Sequence, residues 1–204
     1  MIKVIVIDMG GVCFELGTDR AVEKMYCLID APKEKIDEIF KGGHHRQEGY
    51  LYRRGKITHR EFWDAAIRKL GIRPELAPKL EEIWHSSYVP VKGMLELIRE
   101  LSRSYKLVVF SGNIRERVEF LERKHDFKRY FQDFVWSFDH GFSKEDIEFY
   151  DALVSRLDCR PEEAVVIDDV PQFIDMAKSK GLKTIQFESA EQLRAELRKL
   201  GVRI

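Results

Sequence analysis

Residues 2–12 read Ile-Lys-Val-Ile-Val-Ile-Asp-Met-Gly-Gly-Val. A β-branched run of this length, with no alternation, predicts a strand covered on both faces, and so a parallel sheet enclosed by helices. No other stretch narrows the possible folds as far. The run ends in Asp8 and then in the glycines Gly10 and Gly11. In open α/β sheets ligands bind beyond the carboxyl ends of the strands, so Asp8 stands where chemistry is done. The glycines permit a tight turn and let backbone N–H groups approach an anion. Asp8 also has a local use, as a turn or capping residue after a core strand.

From Leu101 onward, strand and helix patterns alternate. Strands are predicted at Lys106–Phe110, Phe134–Ser137, Ala164–Ile167 and Lys183–Phe187, separated by helices at about Ile114–Lys124, about Asp146–Leu157 and from Pro171 to Gly181. Ser189 and Gln192 have the spacing of a capping box at the head of a last helix. Such alternation means a parallel sheet with right-handed crossovers. The interval between the first and second strands is the exception, at almost 100 residues. It carries helical stripes over Thr18–Asp30 and Pro32–Lys41, a helix from a Thr58/Glu61 capping box to Gly71, and another over Pro74–Tyr88. The expected fold is therefore α/β: a Rossmann-like, three-layer parallel-sheet core (residues 1–13 and 90–204) with an inserted α-helical domain (residues 14–89).

Composition limits the function classes. Thirty-five Lys and Arg balance 35 Asp and Glu, which argues against a dedicated nucleic-acid binder, even though Tyr50, Tyr52, Arg53, Arg54 and Lys56 mix aromatic and basic groups. No apolar run reaches 18 residues, so no membrane span is expected, and a strand at the very start of the chain predicts a cytoplasmic protein. Cys13, Cys27 and Cys159 are odd in number and widely spaced; they read as small buried hydrophobes and not as disulfide or zinc partners. Abundant Glu, Lys and Arg with a single asparagine, Asn113, is the pattern of a heat-adapted, thermophile protein.

Three strands end in groups with chemical capacity: Asp8, Ser111, and Asp168 with Asp169. Lys144 precedes the helix that leads to the fourth strand. If those strands are neighbours, the groups meet in one crevice. Each also has a local role open to it, Ser111 and Asp169 as helix caps and Lys144 as a solvated lysine.

Four ordered motifs carry a resemblance. They are Val6–Val12; Val109-Phe110-Ser111-Gly112-Asn113; Gly141-Phe142-Ser143-Lys144 with Tyr150; and Val166-Ile167-Asp168-Asp169 running on to Ala177. In this order the chain resembles the haloacid dehalogenase (HAD) superfamily of hydrolases over essentially its whole length. The helical insert is similar to that family's cap of the four-helix type. The resemblance implies Asp8 as nucleophile, forming an aspartyl-phosphate that water hydrolyses. It implies Lys144 and Ser111 as its catalytic partners, and Mg²⁺ held by Asp8, the Gly10 carbonyl, Asp168 and Asp169. Phosphate would be bound by Gly10, Gly11, Ser111, Gly112, Asn113 and Lys144. His44, His45 and Arg46, in a cap loop, are candidate contacts to the rest of a small phosphorylated substrate. No nucleic acid or membrane is expected as a partner, and the assembly is a monomer or homodimer.

One departure matters. The family's phosphatases carry a second Asp two residues after the nucleophile, as general acid and base; here that residue is Gly10. Three readings follow: a phosphatase that is slow or uses a substitute acid such as Glu15, His44 or His45; a non-enzymatic phosphate or phosphoprotein binder; or a 2-haloacid dehalogenase, against which Asp168 and Asp169 speak because paired acids repel a halide.

Overall fold

The computed structural model describes residues 1–41 and 47–204. β1 (Val4–Ile7) is the centre of a five-stranded parallel sheet. β2 (Lys106–Ser111) and β4 (Ala164–Asp168) flank it, with β3 (Asp133–Trp136) outside β2 and β5 (Lys183–Gln186) outside β4. The order β3-β2-β1-β4-β5 changes direction at β1, which opens a crevice at the carboxyl edge there. Ile7 is level with Val109 on one side and Ile167 on the other, so Asp8 and Asp168 leave the sheet side by side.

Between β1 and β2 lie α1 (Thr18–Tyr26), α2 (Lys33–Phe40), α3 (Glu48–Arg53), α4 (His59–Leu70) and α5 (Ala77–Ser86). After them come α6 (Met94–Leu101), α7 (Arg115–His125), α8 (Ser137–His140), α9 (Ile147–Ser155), α10 (Pro171–Ser179) and α11 (Ala190–Lys199). Strand residues alternate between the two faces of the sheet even though all are apolar. Ile5, Ile7, Val109 and Ile167 pack with Leu97 of α6, Val118 of α7 and Leu193 of α11. Val4, Val6, Phe110 and Val166 pack with Phe149 and Leu153 of α9 and Ala177 of α10. Both faces need oil, which is why the strands show no polar alternation.

The helices of the insert form their own apolar cluster. Trp84 stacks on Phe62 at 5.4 Å and meets Phe40 edge-on at 4.9 Å, and Ile114 reaches into the group from the start of α7. The chain enters and leaves the insert along one strap: the Glu15 N–H donates to the Val89 carbonyl at 2.9 Å, and the Val91 N–H donates to that of Cys13 at 3.0 Å. No helix among the described residues is long and apolar enough to cross a membrane.

Several local expectations are corrected. The short helices α3 and α8 fall below the length at which periodicity is legible. Pro74–Leu76 is a 3₁₀ turn, and α5 begins only at Ala77. At α11 only half the capping box forms: Ser189 Oγ accepts the Gln192 N–H, but Gln192 Oε1 accepts the N–H of Glu188. Of the cysteines only Cys13 is buried; Cys159 is half-buried and Cys27 exposed.

Candidate active site

Asp8 follows the central strand and is almost fully buried. Its Oδ1 accepts the Met9 N–H at 2.6 Å, and its Oδ2 faces Lys144 Nζ at 2.7 Å. Lys144, 4% exposed, also reaches Asp168 Oδ2 at 2.5 Å and so ties the ends of β1 and β4 together. Asp168 Oδ1 is taken by the Val170 N–H at 2.9 Å, which starts the turn into α10. One carboxylate oxygen from each of Asp8, Asp168 and Asp169 lies within 4.8 Å of the others.

The electrostatics follow from that crowding. Burial pushes the Asp8 carboxyl up to about 6, and the neighbouring Asp168 charge adds to the rise; Lys144 and a hydrogen bond from Ser111 oppose it. Asp169 is raised by burial and by Asp168. Burial lowers the Lys144 ammonium, but Asp8 and Asp168 outweigh it and hold the group above its ordinary value. When ionised, three carboxylates against one ammonium leave two negative charges in a nearly dry site, an arrangement that a divalent cation neutralises. The backbone makes room for it. Gly11 has φ +87°, and a Cβ there would lie 2.3 Å from Asp169 Oδ2, inside contact distance. The donor set is all oxygen, as hard divalent cations require.

These groups open onto a cavity of about 280 Å³ that Asp8, Gly10, Ser111, Gly112, Lys144 and Asp169 help to line. Its other wall is not marked by any motif in the sequence. Leu16, Tyr50, Arg53 and Arg54 reach it from the insert, and Glu145 and Phe173 from the core. Arg54 is buried, ion-paired with Asp146 and Glu145, and lies over the Tyr50 ring at 4.0 Å. The mixture of Tyr50, Tyr52, Arg53 and Arg54 is therefore inward-facing: Tyr52 packs in the insert's core and donates to Glu116 at 2.5 Å. In the sequence these residues stand out only as a mixture of aromatic and basic groups.

Three expectations are corrected. The Gly11 N–H is spent on the Phe14 carbonyl at 2.7 Å, so this residue supplies space and no anion contact. Asn113 gives its N–H to Ser137 Oγ at 3.0 Å, its Oδ1 accepts from Ile114 N–H and Arg117, and its Nδ2 donates to Met9 Sδ at 3.4 Å, so its donors are already engaged within the protein. Glu15 is half-exposed, pairs with Arg20 at 2.8 Å and lines a different groove, which removes it as a substitute acid. His44, His45 and Arg46 lie outside the described residues.

A sequence profile of the haloacid dehalogenase-like hydrolases matches residues 2–181. The D-ribitol-5-phosphate phosphatase of Bacteroides thetaiotaomicron is 26% identical over 206 residues, covering 97% of each chain. A flavin mononucleotide hydrolase of Arabidopsis thaliana is 29% identical over 126 residues, 61% of this chain and 51% of that one. A HAD family enzyme of Bacteroides thetaiotaomicron, solved with magnesium and inorganic phosphate, superposes with a TM-score of 0.81 at 22% identity, over 95% of this chain and 99% of that chain.

Proposed function

The chain belongs to the haloacid dehalogenase-like hydrolases, and on that premise we propose that it is a Mg²⁺-dependent phosphatase of small phosphorylated metabolites, working through an aspartyl-phosphate on Asp8. The observation that carries the proposal is the meeting of Asp8, Lys144, Asp168 and Asp169 at one cavity-facing sheet edge. A relative that is a sugar-alcohol phosphate phosphatase, and a structural neighbour holding magnesium and phosphate, point the same way.

Asp8, Asp169 and the Gly10 carbonyl would hold Mg²⁺, with Asp168 fixed behind them by Lys144 and the Val170 N–H. Bound there, the ion would supply charge neutralisation to the phosphoryl oxygens. Asp8 attacks phosphorus in line; the bond from phosphorus to the leaving oxygen breaks, and the phosphoryl group rests on the carboxylate. Lys144 keeps Asp8 ionised and balances charge on the transferring group. The Ser111 hydroxyl turns from Asp8 to a phosphoryl oxygen. Water then attacks phosphorus, inorganic phosphate leaves, and Asp8 is restored. Residues 14–89 act as the cap that covers this site and contacts the rest of the substrate.

No side chain at position 10 protonates the leaving group. General acid–base help is worth about 10²–10⁴ in rate, roughly 3–5 kcal/mol of barrier. Positioning and charge neutralisation supply the rest of phosphoryl-transfer catalysis, so the site is handicapped and not disabled. p-Nitrophenyl phosphate gives the test, because its leaving group scarcely needs a proton. Turnover that requires Mg²⁺ and stops on chelation supports the proposal, and a phosphorylated-metabolite panel then identifies the substrate. Saturable phosphate binding without turnover would overturn it in favour of a phosphate or phosphoprotein binder, the reading that Gly10 favours.

A further inference from the structure

Beside the cavity at Asp8 lies a second, wider one of about 600 Å³. The two share Gly10, Leu16, Tyr50, Arg53, Gly112 and Glu145, so they form one continuous space running from the sheet edge toward the insert. Arg117, from the first turn of α7, forms part of the far wall. It is 2% exposed, and its guanidinium lies between the rings of Trp84 at 4.6 Å and Tyr88 at 4.1 Å. Tyr88 is held in place by a 2.8 Å hydrogen bond between its hydroxyl and that of Thr18.

What this guanidinium lacks among the described residues is a counter-charge. Its Nη1 donates to Asn113 Oδ1 at 3.2 Å, a neutral acceptor, while Nε and Nη2 have no partner among the described residues. No carboxylate among the described residues is paired with it. A buried charge is tolerated when paired or coordinated, and stacking on two rings offsets only part of the desolvation. Burial brings the group down to about 10, which leaves it cationic at neutral pH. Arg53 lines the same space. The one acid on that wall, Glu145, is already engaged by Arg54 and by Ser143 Oγ.

Building on the phosphatase reading, we propose that the preferred substrate carries a second anionic group, a carboxylate or another phosphate, at the end remote from the scissile phosphate, and that Arg117 is the residue selecting it. An anion in the wider cavity supplies the counter-charge that the protein does not, in a low-dielectric setting where such attraction is strong. A neutral polyol end leaves Arg117 as it is.

The test compares three substrates of one skeleton: sorbitol 6-phosphate, 6-phosphogluconate and sorbitol 1,6-bisphosphate. In the wild type, kcat/KM is expected to be about tenfold or more higher for at least one anion-ended compound than for the polyol phosphate, the range of a charged hydrogen bond. Which of the two leads distinguishes carboxylate from phosphate. In Arg117→Met that ratio should fall to about one, and Arg117→Lys should restore part of it, mainly through KM. A ratio taken within one variant is unmoved by general loss of activity or of folded protein, so a purely structural role for Arg117 would leave it unchanged and overturn the proposal. A wild type that favours the polyol phosphate overturns it without any variant. If p-nitrophenyl phosphate is not hydrolysed, the catalytic reading fails separately, and calorimetric Kd values for the same three compounds decide this one by the same ratio.

Discussion

At the scale of single residues, the glycines after Asp8 differ in what they do. The nearest atom to a Cβ at Gly10 is the flexible end of Leu16, at 3.3 Å, which has to yield by a few tenths of an ångström, so the backbone does not bar Gly10→Asp. It should raise kcat on alkyl phosphates by about 10–10³-fold by supplying a proton donor, while p-nitrophenyl phosphate gains little. Gly11 allows no such change. Gly11→Ala drives a methyl into Asp169 and strains a left-handed backbone, and should weaken Mg²⁺ binding by about tenfold or more, read by calorimetry. His85 gives a pH prediction. It is 3% exposed with Nε2 unpartnered among the described residues, and burial, helped by the Arg117 charge, pulls it down to about 2. Below about pH 6.5 the unfolded chain therefore binds a proton that the native protein refuses, and stability falls with pH by up to about 1.4 kcal/mol per unit. Urea unfolding at pH 7.5 and pH 5 should show a loss up to about 2 kcal/mol larger in wild type than in His85→Gln.

Elements were legible where periodicity or capping chemistry is strong. α4 starts at Thr58, whose hydroxyl accepts the Glu61 N–H at 3.2 Å, while Glu61 Oε2 accepts the Thr58 N–H at 2.7 Å. Thr58→Ala should cost about 1 kcal/mol in chemical denaturation. The buried strands were equally plain, because runs such as Val4–Ile7 and Ala164–Ile167 admit few alternatives. α3 was not. Its Glu-Gly-Tyr-Leu-Tyr-Arg is too short for a stripe and contains a glycine, yet it delivers Tyr50 and Arg53 to the cavity. The half-made box at Ser189 shows the limit of reading caps from spacing alone. A competing donor one residue away, the Glu188 N–H, took the acceptor.

At the scale of the whole molecule, the groups at the strand ends were identifiable from sequence because parallel α/β sheets gather chemistry at one edge. Asp8, Ser111, Lys144, Asp168 and Asp169 are brought together as that rule requires. The insert's contribution was not identifiable, since which side chains of a separate apolar cluster point back at the sheet depends on how its helices sit. A site shared between two packed bodies also predicts ligand-linked stability. Mg²⁺ with phosphate at about 100 times Kd should add about 2.7 kcal/mol, or roughly 5–10 °C in Tm, and Asp169→Asn should remove the shift. The claim on which all of this depends is that Asp8 itself carries the phosphoryl group, and trapping that adduct tests it most directly. The enzyme is acid-quenched during turnover of p-nitrophenyl phosphate with Mg²⁺, reduced with borohydride and mapped by peptide mass spectrometry. Homoserine at position 8, absent without substrate and absent in Asp8→Asn, is the result expected. Phosphate release with an unmodified Asp8 under the same quench would contradict it.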